Sequence, residues 1–372
     1  MRFLATAAFS LEGLVARELN NLGLDAKARS GGAVFEGGWQ DAFKANLWLR
    51  CADRVRLIVG EFPAQSFEEL FEGVKALPWA DIMPRAAIFP VSATCVRSKL
   101  MSVPDTQAIV KKAVAESLRR SYRQQAPIVE ETGPRFAIDA HIHADQVLLS
   151  VDLTGQGLSY RGYRKLNAIA PLRESLAAAL VMLSPWRGRL PLYDPMCGSG
   201  TIGIEAAMIA CDKAPGLERD FDMQHWGHAD YNSLRQEAVQ RFEAAKTGKT
   251  AVAFLSDNDP EMGRIARIHI ENAGLSPFIE FRLCDAGDVR PDGDVVVNPP
   301  YGQRLGDDRQ ALDAARLLGD MFRGMQSGSM TVIAPQNGFE RAFGRRADKR
   351  RRLYNATTEC EAMTFFLPRK TK

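Results

Sequence analysis

Apolar runs along this chain are arranged in two different ways, and the break between them falls at residues 155–170. Before it, Phe3 to Thr6 reads as a strand, and Leu11, Leu14, Val15, Leu19 and Leu22 recur at helical spacing up to Gly23. Val34-Phe35 and Arg54 to Val59 predict two more strands, residues 66–80 a helix stopped near Pro78, and Ile88 to Thr94 another strand. A longer helix starts at Asp105, its expected N-cap, and buries Ile109, Val110, Val114 and Leu118. Strands at 136–142 and 147–153 follow, joined by a tight turn at Ala144-Asp145-Gln146. This half reads as α+β.

The stretch GQGLSYRGYRKLNAIA then interrupts the pattern and marks a domain boundary. Beyond it helices and strands alternate. Helices are expected at 172–183, 201–210, 260–273 and 312–325, with strands at 190–193, 252–256, 279–283, 295–297 and 330–334. The segment between the first two strands carries a helix of its own, 232–245. Such alternation predicts a doubly wound parallel sheet, so the late half is α/β.

Composition narrows the setting without choosing an activity. A chain of 372 residues with 46% hydrophobic and 25% charged residues is an ordinary globular composition with room for two or three domains. No apolar stretch reaches the roughly 18 residues a membrane span needs. Glu12 and Glu18 fall where a signal peptide would stay apolar. The six cysteines form no CxxC pair, so neither a zinc site nor a disulfide framework is expected, and a cytoplasmic setting fits. A net charge of +3 permits a nucleic-acid partner without requiring one.

Chemistry enters at two strand ends. The strand LPLY runs into Asp194-Pro195-Met196-Cys197-Gly198-Ser199-Gly200-Thr201-Ile202-Gly203 and then an apolar helix. Glycines there allow a tight turn and close approach of a ligand to the free N–H groups of the helix. A dinucleotide site needs an acid about 20 residues later, whereas here the next strand end is Asp257. Asp257 is placed to bridge ribose hydroxyls, and Asp285-Ala286, at a third strand end, to meet an adenine amine. This pattern predicts S-adenosylmethionine, held by Asp194, Gly198, Gly200, Thr201, Asp257, Asp285 and Ala286. Asp259 before Pro260 reads more simply as a helix cap.

A fourth strand delivers Asn298-Pro299-Pro300-Tyr301-Gly302. An exocyclic base amine is a poor nucleophile because its lone pair is delocalised into the ring. The Asn298 side-chain oxygen and the Pro299 carbonyl can accept its two N–H bonds and direct the lone pair at a methyl group. Tyr301 offers a face on which to stack a flipped base. No cysteine flanks this motif, which argues against cytosine C5 chemistry, and Cys197 reads as a small packed residue.

With both motifs placed, the chain resembles the THUMP-domain RNA methyltransferases, specifically the bacterial guanine-N2 methyltransferases of 23S rRNA in a form with one methyltransferase domain. The resemblance spans nearly the whole length through ATAAFSLEGLVAREL, LSYRGYRKLNAIAPLRESLAAAL, DPMCGSGTIGIEAA, APGLERDF, NPPYGQRLG and LYNATTECEAMTFF. It implies a ferredoxin-like region at 1–60, a THUMP RNA-binding domain at 61–155, a linker at 156–170 and a Rossmann-like methyltransferase domain at 171–372. It also places Glu174 close to the cofactor. Glu218 and Ala356 depart from the family pattern, which has asparagine and glycine there. The implied substrate is 23S rRNA or a large-subunit precursor, with tRNA second. An inactive RNA-binding assembly factor is the alternative from another class, and adenine N6 is another amine the motif serves.

Residues 1–160 carry 18 basic and 18 acidic side chains, so RNA must be gripped there by local clusters. The expected phosphate contacts are Arg97 and Lys99, then Lys111 and Lys112 with Arg119, Arg120 and Arg123, then Arg161, Arg164 and Lys165. Arg350 is the fourth, in the run 345–352. His225 and His228 lack a third ligand at suitable spacing, and no metal is expected. His141 and His143 share one face of a strand.

Overall fold

The computed structural model describes residues 1–122, 132–166, 172–246, 250–300, 308–335, 338–355 and 358–368. Two seven-stranded sheets organise them. The early half folds as β1 (Arg2–Ala7), α1 (Glu12–Asn21), β2 (Ala26–Arg29), β3 (Gly32–Glu36), α2 (Trp39–Trp48), β4 (Ala52–Pro63), α3 (Phe67–Lys75), α4 (Trp79–Ile82), β5 (Val91–Val96), α5 (Val103–Ser121), β6 (Ile138–His143) and β7 (Gln146–Asp152). Its strands lie in the order β2-β3-β1-β4-β7-β6-β5, antiparallel except for β5 beside β6. Along β6, Ile138, Ala140 and Ile142 are buried in the core while Asp139, His141 and His143 face the other way, so one face of this sheet is covered and the other open. The long strand β4 crosses residue 60, with a register shift between Ile58 and Gly60, and therefore belongs to the regions on both sides of that position.

The late half contains α6 (Glu174–Leu183), β8 (Leu192–Asp194), α7 (Thr201–Ala210), α8 (Asn232–Lys246), β9 (Ala253–Asp257), α9 (Pro260–Asn272), β10 (Ile279–Leu283), β11 (Asp294–Val297), α10 (Asp308–Gly324), β12 (Ser329–Ala334), α11 (Phe339–Phe343), β13 (Lys349–Asn355) and β14 (Thr358–Phe366). The order β10-β9-β8-β11-β12-β14-β13 makes the first five strands parallel and the last two an antiparallel hairpin. Strand order reverses at β8, which has β9 on one side and β11 on the other, so the crevice opens beyond the carboxyl ends of these three.

Several local expectations shift. The cap of α5 is Ser102, whose hydroxyl accepts from the Asp105 N–H at 3.4 Å, because Pro104 already lies within the first turn. The helix expected over 66–80 is two, α3 and α4, since the residue before Pro78 is driven out of the helical region. Helix α2 had no signature in the sequence: Ala42, Phe43, Ala45, Asn46, Leu47 and Trp48 are all buried, which erases the polar face on which helical periodicity depends. That helix is the joint between the halves. Phe43 stacks on Tyr231 with centroids 4.5 Å apart, the Leu47 carbonyl accepts from Gly216 N–H at 3.0 Å, and one apolar core runs through both sheets.

Candidate active site

A cavity of about 430 Å³ opens beyond the ends of β8, β9 and β11. Asp194, Gly198, Thr201, Asp257, Asp285, Ala286 and Asn298, each expected from sequence, line it together. Leu172, Met196, Ile202, Met262 and Leu317 add apolar walls, and Asn258 and Pro300 add polar and rigid edges. The apolar contributors went unseen in the sequence because a wall of a pocket has the same composition as core.

The glycines of the loop serve two purposes. Gly198 and Gly200 have φ of +52° and +81°, in the left-handed region, and Gly200 directly precedes α7. A Cβ on Gly203 would lie 2.2 Å from Leu255, so this glycine permits close packing of α7 on β9 rather than ligand approach. The loop is tied to the neighbouring strand by Cys197 N–H to the Ser256 carbonyl at 2.9 Å and Gly198 N–H to Asp257 Oδ2 at 2.8 Å. Asp257 Oδ1 accepts from Asp259 N–H at 3.0 Å, and each oxygen keeps a second lone pair for a ligand hydroxyl. Asp259 itself caps α9, accepting from Glu261 and Met262 N–H.

Asp285 accepts from Gly287 N–H at 2.8 Å and from the Asn258 side-chain amide at 3.3 Å. Asp194 is 1% exposed, and burial, with the nearby Asp257 carboxylate, pushes its carboxyl well above the usual range. Cys197 is buried and its thiol is likewise pushed up by burial, the state of a packed cysteine rather than of a nucleophile. Asn298 completes the wall. Its side-chain oxygen is buried and has no hydrogen-bond partner among the described residues, a costly arrangement that a donor in the cavity would relieve. Pro299 is buried behind it and Pro300 faces the cavity. Tyr301 lies outside the described residues.

Four expected residues are placed elsewhere, and the first, Gly200, lies behind the lining with its Cα towards Ala266, Leu255 and Ile204. Glu174 is buried but does not line the cavity; it pairs with Arg164 at 3.4 Å, and burial raises its carboxyl. Arg164, expected on phosphate, turns inward and donates to Thr201 Oγ1 at 2.8 Å and to the Leu172 carbonyl at 3.1 Å. Arg161, also expected on phosphate, is 2% exposed and paired with the fully buried Glu205 at 3.2 Å. Its remaining donors take the Leu158 and Arg50 carbonyls. Arg161 does not reach solvent and Arg164 keeps only 15% of its side chain exposed, because Leu158 and Arg161 are packed between the two halves.

The other basic candidates among the described residues are exposed and scattered, and Arg123 lies outside those residues. Arg97 and Lys99 share the β5–α5 loop, Lys99 bonding Gln65 at 2.7 Å. Lys111 and Lys112 lie on α5 over the rings of Phe89 and Phe71. Arg350, on β13, donates to both oxygens of Glu340. Glu218 pairs with Lys213 at 3.1 Å. His228 stacks on Trp39 and meets the Ile82 carbonyl. Among the described residues no three His, Cys, Asp or Glu side chains converge as metal ligands, and no helix is long and apolar enough to cross a membrane.

The lining fits S-adenosylmethionine: a glycine loop leading into the N-terminus of α7, carboxylates at two strand ends, and apolar walls between them. Comparison with known proteins agrees. Residues 161–364 match the RMKL-like methyltransferase domain, 2–56 the RlmL ferredoxin-like domain and 64–152 the THUMP domain. The protein named "Putative RNA methyltransferase YpsC" of Bacillus subtilis (strain 168) is 39% identical over 355 residues, covering 95% of this chain and 92% of that one. The ribosomal RNA large subunit methyltransferase K/L of Syntrophotalea carbinolica is 36% identical over 387 residues, 98% of this chain but 53% of that one, so the chain spans about half of its length. The crystal structure of SMU.472 "complexed with SAH" is 37% identical, covers 100% of this chain and 99% of that chain, and superposes with a TM-score of 0.93. An α/β methyltransferase fold behind ferredoxin-like and THUMP domains, with an intact cofactor crevice, thus places this chain in the RMKL-like methyltransferase family.

Proposed function

We propose that this protein methylates the exocyclic N2 amine of a guanine in 23S rRNA, by direct transfer to a base drawn out of its helix. The reaction is S-adenosylmethionine-dependent methylation of RNA, the activity of the family. The cofactor supplies an electrophilic methyl group. The observation that carries the reading is the buried Asn298 oxygen, unpartnered among the described residues, on the wall of the cavity that holds Asp257 and Asp285. An acceptor in that position takes one amine N–H and turns the nitrogen lone pair towards the donor, while the Pro299 carbonyl is the second acceptor. No strong base is required, because the methylated nitrogen is weakly basic and gives its extra proton to solvent water. The raised carboxyl of Asp194 lies on the cofactor side of the cavity and serves binding.

Support for large-subunit rRNA comes from the K/L relative, and support for an RNA substrate from the THUMP domain; a setting in the cytoplasm, where ribosomes are made, goes with this reading. The test is mass spectrometry of nucleosides from purified 23S rRNA and tRNA of a deletion strain. The expected result is loss of N2-methylguanosine from 23S rRNA alone. Loss from tRNA instead moves the substrate, loss of N6-methyladenosine moves the base, and unchanged RNA overturns the reading.

A further inference from the structure

The junction between the two sheets carries a pair of aromatic rings that the reaction as described does not use. Phe9 follows β1 and is 62% exposed, unusual for a phenylalanine. Its ring meets that of Tyr354, on β13, edge to face at 5.8 Å. The loop that presents Phe9 is held in place. Ser10 has φ of +73°, a conformation costly for a residue with a side chain, and its carbonyl accepts two hydrogen bonds from the Arg351 guanidinium. Leu11, the next residue, is buried in the shared core. A side chain fixed outward by strained backbone and a guanidinium from the other half of the molecule is presented, not left over.

Register locates the pair. Val297, Val332, Met363 and Arg350 align across β11, β12, β14 and β13. Asn298 is one residue past that line, and Tyr354 is four residues past it in the same direction, since β13 runs parallel to β11. Tyr354 therefore stands three strands away from Asn298 and three residues beyond its level, about 14 Å across and about 10 Å outward. That is the same end of the sheet as the crevice, on its β13 side. Arg352 shares the Tyr354 face of the edge strand, and its pairing with Glu359 at 3.0 Å is exposed on both sides, so it exchanges easily for a phosphate.

We propose that Phe9 and Tyr354 form a stacking platform for an RNA base a few nucleotides from the target, with Arg352 on the adjoining phosphate. Aromatic faces beside a cation along an edge are the chemistry that holds single-stranded RNA without reading its sequence. When the target nucleotide is drawn into the cavity its neighbours are unstacked, and the platform gives one of them a surface. The inference rests on the RNA reading above.

The test uses the full-length protein and a fluorescein-labelled unstructured RNA oligonucleotide of mixed sequence, with S-adenosylmethionine affinity and thermal stability as controls. Phe9→Ala, Phe9→Leu and Tyr354→Ala are expected to weaken RNA binding by about five- to hundredfold, and Phe9→Trp to retain it, with both controls unchanged. Wild-type binding by Phe9→Leu and Tyr354→Ala overturns the platform alone. A wild-type protein that neither binds the oligonucleotide nor methylates RNA overturns the RNA reading and the platform with it.

Discussion

Asp257 Oδ2 accepts a hydrogen bond from the Gly198 N–H at 2.8 Å, so the acid at the end of β9 is fastened to the glycine loop at the end of β8. The same carboxylate therefore shapes the loop and binds the ligand. Asp257→Ala is expected to weaken S-adenosylmethionine binding about ten- to hundredfold, by the loss of charge-assisted hydrogen bonds. Asp257→Asn should be nearly as weak, because an amide offers one acceptor where two backbone N–H groups converge. Isothermal titration measures both, and wild-type affinity in Asp257→Asn would contradict the role.

Asn298 should separate binding from transfer. Its oxygen meets no donor within the described protein, so Asn298→Ala is expected to keep cofactor affinity while kcat falls about 10²- to 10³-fold. Single-turnover methylation of RNA reads the chemical step directly. Normal turnover would remove Asn298 from the mechanism.

Asp194 trades stability for its site. Burial holds its proton more tightly in the folded protein than the ordinary carboxylate value of 3.8 allows unfolded. Its contribution to stability is thus complete below about pH 3.8 and lost as pH rises towards the elevated folded value. Asp194→Asn removes that loss. The cofactor-free variant is expected to melt about 1–3 °C above wild type at pH 8, with the gap closing towards pH 4, and to bind cofactor less well. A wild-type protein as stable as the variant at pH 8 would count against the assignment.

Glu205 and Arg161 form an ion pair with side chains 0% and 1% exposed, set between the two halves. Removing one partner strands the other charge in the core. Glu205→Ala is expected to cost about 3–5 kcal/mol, read from the urea midpoint with the slope unchanged. A change below about 1 kcal/mol would mean that the site hydrates.

The sequence by itself determined the late half closely, because a doubly wound sheet writes its order into the chain. Each strand is short, apolar and followed by a helix, and residues at the strand ends converge without any long-range detail. Hence Asp194, Gly198, Asp257, Asp285 and Asn298 were legible as one site before their contacts were known. Tertiary structure decided what charge and apolar character mean in place. Arg161 and Arg164 have the composition of phosphate ligands, yet packing of the two sheets buries Arg161 against Glu205 and turns Arg164 inward onto Glu174. Helix α2 vanished from the pattern because both its faces are covered, one of them by the other half of the chain. The pairing of Phe9 with Tyr354 joins residues 345 positions apart, and nothing local encodes it. Periodicity reports which face of an element meets the interior; which partner supplies that interior depends on contacts between distant segments, and these exist only once the sheets have met.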